Sequence, residues 1–200
     1  LFFFYMRPDH RYNFIDELHG GRLPGTERWV KSGFIREEMK LGLIDAEIRF
    51  ANGYIAEQAF ACQNMMLALQ ALGLGGWVFS GFVSLFVLGG TPFYKGLGFR
   101  FITPTKGVAN PIAVGKDGLF EAFCPPYYRD MNEAVEAFHQ MKWHNWETRP
   151  LPYREPDRIL AEVPRPSEEE IEVVKTICTY IYETYGRFPA LVDPMYIRFM

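Results

Sequence analysis

The longest patterned stretch of the chain is residues 45–72. Ile48, Ala51, Ile55, Ala59, Cys62, Met66 and Leu69 recur at spacings of three and four, which predicts one long helix with an apolar face. The stretch holds no Pro and a single Gly, Gly53, and Gly73 stands where a C-terminal cap belongs. A second helix is announced by Ser167 with Glu170, a capping box, followed by Glu168 and Glu169 in the first turn. Ile171, Val174, Cys178, Ile181 and Tyr185 then make one apolar stripe, and Gly186 closes the helix. Such a stripe must dock on the chain's own core or on a second subunit. Asp130 with Glu133 opens a third helix that runs to about Trp146, with Val135, Phe138 and Lys142 on one face. Residues 27–40 carry a charged helical pattern.

Short apolar runs bounded by turn residues predict buried strands at 1–5, 77–82 and 99–103. Residues 83–88 fit a helix and a strand equally well. Residues 9–30, broken by Gly20-Gly21 and Pro24-Gly25, and residues 104–128, with Pro104, Pro111, Pro125 and Pro126, predict long loops. Pro150, Pro152, Pro156, Pro164 and Pro166 predict a stiff, extended arm over 149–166. The organisation expected is a core at 1–148, this arm, and a C-terminal helical extension at 167–200. The apolar runs at both ends suggest a piece of a longer chain. No internal repeat is visible.

Composition narrows the classes. At 200 residues, 48% hydrophobic and 22% charged, the chain is globular and needs no disulfide or metal to hold its core. A net charge of −3 argues against a nucleic-acid binder, which shows a basic excess or stripe. Cys62, Cys124 and Cys178 are too few and too scattered for a disulfide framework, so a reducing, cytoplasmic setting is expected. No residue from 58 to 94 is charged, which is long enough to span a bilayer. Gln58, Gln63, Asn64 and Gln70, and then Gly73, Gly75 and Gly76, interrupt it. A central helix buried on all sides explains the run more simply, so no membrane association is expected.

Candidate chemistry is sparse. His10, His19, His139 and His144 lack ligand spacing, so no metal is expected. Cys124, before Pro125-Pro126, has no basic neighbour to activate it and reads as a packed small residue; Cys62 and Cys178 fall on apolar faces. Gly73-Leu74-Gly75-Gly76 follows a helix, whereas a dinucleotide fingerprint follows a strand. No Ser-His-Asp arrangement has supporting context. Tyr127, Tyr128, Trp143 and Trp146 are enough aromatic surface to line a pocket or to fill a core.

The most specific stretch is 63–82: Gln63-Asn64, then Met65, Met66, Leu67 and Ala68, then Leu72-Gly73-Leu74-Gly75-Gly76, Trp77 and finally Gly81-Phe82. It resembles the nitroreductase-like flavoproteins, in which a buried helix of the pattern Q-N-L-L-L-A-A-x-A-L-G-L-G runs into a strand ending in Gly-Phe. The likeness covers about residues 45–90. It implies an α+β fold, a mixed or antiparallel sheet flanked by helices around a long buried central helix, and a homodimer with two FMN sites at its interface. It also implies an activity: reduced nicotinamide, NAD(P)H, passes hydride to the flavin, which reduces a flat, electron-poor small molecule. Carried over by position, Ser80 and Gly81 present backbone groups to the flavin ring, with Phe79 beside them, and Gly81 leaves room for close approach. The family often has an acidic residue where Ser80 stands. A basic residue late in the core meets the phosphate; Lys95, Arg100 and Lys106 are candidates, and Lys95 and Arg100 are taken forward. No side chain is assigned a catalytic role, because the cofactor carries the chemistry. The family's Arg-x-Ser-x-Arg phosphate segment is missing, which again suggests an N-terminally truncated piece. The alternative is a non-catalytic relative of the same fold that binds a ligand or a protein.

Overall fold

The computed structural model describes residues 12–78, 84–102, 112–150, 153–162 and 165–186. The strand expected at 1–5 lies outside them. Residues 9–30, expected as loop, hold β1 (Tyr12–Asp16), β2 (Gly21–Arg22) and α1 (Glu27–Lys31). Phe14 and Leu23, both buried, anchor the two strands. Gly20 and Gly21 take positive φ between them, the backbone a tight hairpin requires.

The helix expected over 27–40 stops after one turn. Gly33, at φ 75, ends it, and Ile35 donates its N–H back to the Trp29 carbonyl at 3.0 Å. The chain then runs as β3 (Arg36–Gly42), paired parallel to β1 with Phe14 opposite Leu41 and Ile15 opposite Gly42. The first sheet has the order β2-β1-β3 and is mixed. β3 lies at the edge of this sheet, where charged residues are common, so its polar sequence forms a strand and not the helix expected there.

Helix α2 (Leu43–Ala71) is the long helix expected over 45–72. Its end is as read: Gly73 at φ 71 donates to the Gln70 carbonyl at 3.0 Å, and Leu74 to the Leu69 carbonyl at 2.8 Å. Its burial is not as expected. Leu43 and Ala46 enter the core, but Ile48, Ile55, Phe60, Met65 and Leu67 are exposed, Phe60 at 70%. Trp77 and Val78, expected in a buried strand, are exposed as well and belong to no strand. Of the α2 side chains described, those of Leu43 and Ala46 belong to the core cluster, which is otherwise built from residues outside this helix.

After α3 (Ser84–Leu88), a second sheet forms from β4 (Arg100–Ile102), β5 (Ile112–Lys116) and β6 (Phe120–Glu121), an antiparallel meander. The hairpin β5–β6 falls in a region expected as loop. Asp117-Gly118, with Gly118 at φ 70, is its turn signal. A Cβ on Gly115 would overlap the Phe120 carbonyl, so close pairing demands glycine there.

Helix α4 (Met131–Thr148) starts at Asp130, whose side chain accepts from the Glu133 N–H at 2.9 Å. The arm expected to be extended contains a helix, α5 (Pro156–Glu162), with Pro at the first position, where its missing N–H costs nothing. Helix α6 (Glu168–Tyr185) carries the full capping box and ends on Gly186 at φ 67. Its stripe docks on the chain's own core. Val173, Val174, Ile177, Cys178 and Ile181 are buried with Phe14, Trp29, Ile35, Val114, Cys124 and Ala134. Lys175 bridges Glu172 at 2.9 Å and Glu136 of α4 at 3.2 Å. The molecule is thus a mixed α/β structure with small sheets and flanking helices, as expected in outline.

Candidate functional site

Phe79, Ser80 and Gly81, the expected ring-contacting residues, lie outside the described residues, as does Lys106. The chain on either side is described. Past the α2 cap it folds back along the helix: a Cβ on Gly76 would come within 2.8 Å of Leu69 Cδ1. This backbone approach leaves Trp77 standing out, 82% exposed, beside Leu72, Leu74 and Val78. The end of α2 and residues 72–78 thus expose apolar side chains and carry no charge.

Lys95 sits in a tight loop after α3. Gly89 and Gly96, both at positive φ, let the backbones of 87–89 and 95–96 touch, and added Cβ atoms would collide with them. Leu97 and Phe99 donate to the Val87 and Leu88 carbonyls at 2.8 and 2.9 Å, which fixes the loop against α3. Lys95 is exposed and makes no ion pair among the described residues. Arg100 opens β4 and has a different setting. Its guanidinium donates to Asp117 Oδ2 at 2.6 Å and lies 5.1 Å from the centre of the Tyr127 ring. The Asp117 partner raises the Arg100 pKa, and the Arg100 and Tyr127 side chains lower that of Asp117. Pairing of β4 with β5 and the β5–β6 turn bring Arg100 and Asp117 together. Sequence reasoning had singled out Arg100 but not this partner.

A better-organised cluster escaped the sequence reading altogether. Asp16, at the end of β1, has a side chain only 2% exposed, whereas that of His19 is 54% exposed. Asp16 accepts hydrogen bonds from the Tyr180 hydroxyl at 2.7 Å and the Tyr185 hydroxyl at 2.7 Å, both on α6. It also accepts from the backbone N–H groups of Leu18 and His19 at 3.0 and 3.1 Å. His19 Nδ1 lies 3.2 Å from Asp16 Oδ2 and 3.1 Å from the Tyr185 hydroxyl. Burial alone would raise the Asp16 pKa. The two tyrosine hydroxyls and the two backbone donors outweigh it and hold the carboxyl below its ordinary value. Burial and the Asp16 charge push Tyr180 up to about 12 and raise Tyr185 too, so both remain donors at neutral pH. The arrangement holds a charge fixed in the interior. No local spacing could have revealed it, because the tyrosines are 164 and 169 residues away.

The remaining candidates are structural. Burial pushes the Cys124 thiol up to about 11 and raises Cys178 further, so neither is a thiolate at neutral pH. Cys62 is half-buried on α2. No group of His, Cys, Asp or Glu among the described residues is arranged to hold a metal ion. Tyr128 stacks on Phe123, and Trp143 is buried with the Arg165 guanidinium 5.5 Å from its ring, so these aromatics fill the interior and its edge. No helix of the described residues is long and apolar enough to cross a membrane. Comparison with family models, with curated proteins and with solved structures gives no match to this chain.

Proposed function

We propose that the protein is an FMN-dependent oxidoreductase of the nitroreductase-like kind, acting as a homodimer in a reducing, cytoplasmic setting on a flat, electron-poor small molecule. The observation that carries the reading is the surface of α2 beyond Glu57 and of residues 72–78. It is free of charge and exposes the large apolar side chains Phe60, Met65, Leu67, Leu72, Leu74 and Trp77, with the amides Gln58, Gln63, Asn64 and Gln70 among them. A helix stretch without charge that exposes this many large apolar side chains belongs under a partner, because such a surface marks an interaction site. A second copy of the same uncharged surface is the partner the 63–82 resemblance implies.

The described residues fit the cofactor in part. Trp77 and the exposed apolar side chains next to it in the chain suit a flat ring. Phe79, Ser80 and Gly81 would meet the ring edge. Lys95, exposed and free of an ion pair among the described residues, would meet the phosphate more readily than Arg100, which is held by Asp117. When bound, the flavin supplies hydride acceptance from NAD(P)H and delivery to the substrate. The chain's own residues bind and orient it, and the apolar α2 surface keeps water from it.

The Arg100–Asp117 pair favours the second reading, a non-catalytic module of the same fold, because one expected phosphate ligand is already neutralised. The visible spectrum of the purified protein, with and without added FMN, together with its mass in solution, separates the two. A bound-flavin spectrum that bleaches with NAD(P)H, in a dimer, is the expected result. A dimer that takes up no flavin leaves the binding module. A monomer without flavin overturns both.

A further inference from the structure

We propose that the adjacent carboxylates Asp16 and Glu17 couple two helices far apart in sequence, so that the start of α2 and the last turn of α6 become ordered together. Helix α2 begins without a cap of its own, since Gly42 at its N-cap position has no side chain. Glu17 does the capping from 26 residues away: its Oε2 accepts the Leu43 N–H at 3.1 Å. A carboxylate there also faces the positive end of the dipole of the longest helix among the described residues. The approach is so close that a Cβ on Gly42 would overlap the Glu17 carboxylate. Parallel pairing makes it reachable, because Ile15 of β1 sits opposite Gly42 of β3.

Asp16, one residue earlier, is gripped by Tyr180 and Tyr185 of α6. It also fixes the turn that carries Glu17, through the Leu18 and His19 N–H groups it accepts. Losing the tyrosine hydroxyls leaves Asp16 buried with fewer donors, which favours its movement toward water. Glu17 is carried on the same turn and leaves Leu43 with it. The converse holds by linkage: dislodging Glu17 loosens the turn, and Asp16 is then held less firmly for α6. The proposal is independent of any flavin chemistry.

Amide hydrogen exchange on the full chain tests it. Replacing Tyr180 and Tyr185 together by Phe should speed exchange at Leu43 and in the first turn of α2 about fivefold, the loss of roughly one net hydrogen bond at that site. Gly42→Ala should displace the Glu17 carboxylate without touching α6, and should speed exchange in the last turn of α6. Exchange in the middle of α4 serves as the reference and should not change. Exchange that rises only in the helix bearing the substitution overturns the coupling, since two independent contacts would respond separately. If the double variant also accelerates α4, it has opened as a whole. Tyr180→Phe alone, which leaves the Tyr185 hydroxyl on Asp16, then decides between coupling and independence by the same comparison at Leu43.

Discussion

Helices α6 and α2 are both rich in apolar residues, yet the stripe of α6 is buried while α2 exposes Ile48, Ile55, Phe60, Met65 and Leu67. In α6 the apolar stripe is single-sided, with Glu168, Glu169, Glu172 and Glu183 on the opposite face, and the stripe fills the core. In α2 the charges end at Glu57, and from there to Ala71 every face is uncharged. A one-sided helix can be satisfied by its own chain. One without a charged side needs cover from several directions, and among the described α2 side chains beyond Glu57 none is fully buried. Apolar content therefore says how much surface a helix must hide, while the placement of charges says from how many sides.

Four substitutions put this contrast to the test. Ile177→Ala, at a side chain with 0% exposure, should cost about 3 kcal/mol of unfolding free energy by urea titration, the usual loss for a large core aliphatic. A cost near zero would mean that the α6 stripe is not docked in solution. Asp16→Asn should cost about 2 kcal/mol, since it weakens a buried, fully engaged acceptor. The pH dependence has a definite sign. The folded carboxyl sits below the ordinary 3.8, so its contribution is complete above that pH and fades as pH falls through the lower folded value. The Asn variant should lose that part of the acid unfolding limb, and an unchanged limb would remove Asp16 as its source.

Ser167→Ala should cost about 1 kcal/mol, the worth of an N-cap, because the Ser167 hydroxyl accepts the Glu170 N–H at 3.2 Å. Melting temperatures of the pair would register it. Phe60→Ser should change the stability of the single chain by no more than about 0.5 kcal/mol, as at other exposed sites. Its effect should appear in association: if α2 joins two copies, the variant should shift the solution mass toward that of one chain. A variant that keeps the parent's mass takes Phe60 out of any interface.

Signals carried by neighbours in the chain were legible. The caps of α4 and α6, the glycine that ends α2, and the apolar stripe of α6 each involve residues within one or two turns of one another. Other features depend on remote partners and were missed. The helical spacing of 27–40 gave way to the turn at Gly33 and to pairing with β1. The hairpin β5–β6 was hidden in a Pro-rich stretch despite its Asp117-Gly118 turn. Arg100 was noticed for its charge, but Asp117, which captures it, arrives only when β4 and β5 pair. The expected contacts of Phe79, Ser80 and Gly81 rest on the 63–82 resemblance.

The sequence by itself determined the starts of α4 and α6, the glycine ends of α2 and α6, and that residues 58–94 carry no charge, because these caps and composition are settled among near neighbours. Only the tertiary structure decided which apolar surface is covered and which buried charge is matched. Asp16 needed Tyr180 and Tyr185, α2 needed Glu17, and β1 needed β3. Each is a meeting of segments whose separation along the chain carries no periodic signal, and packing alone brings them within hydrogen-bonding distance.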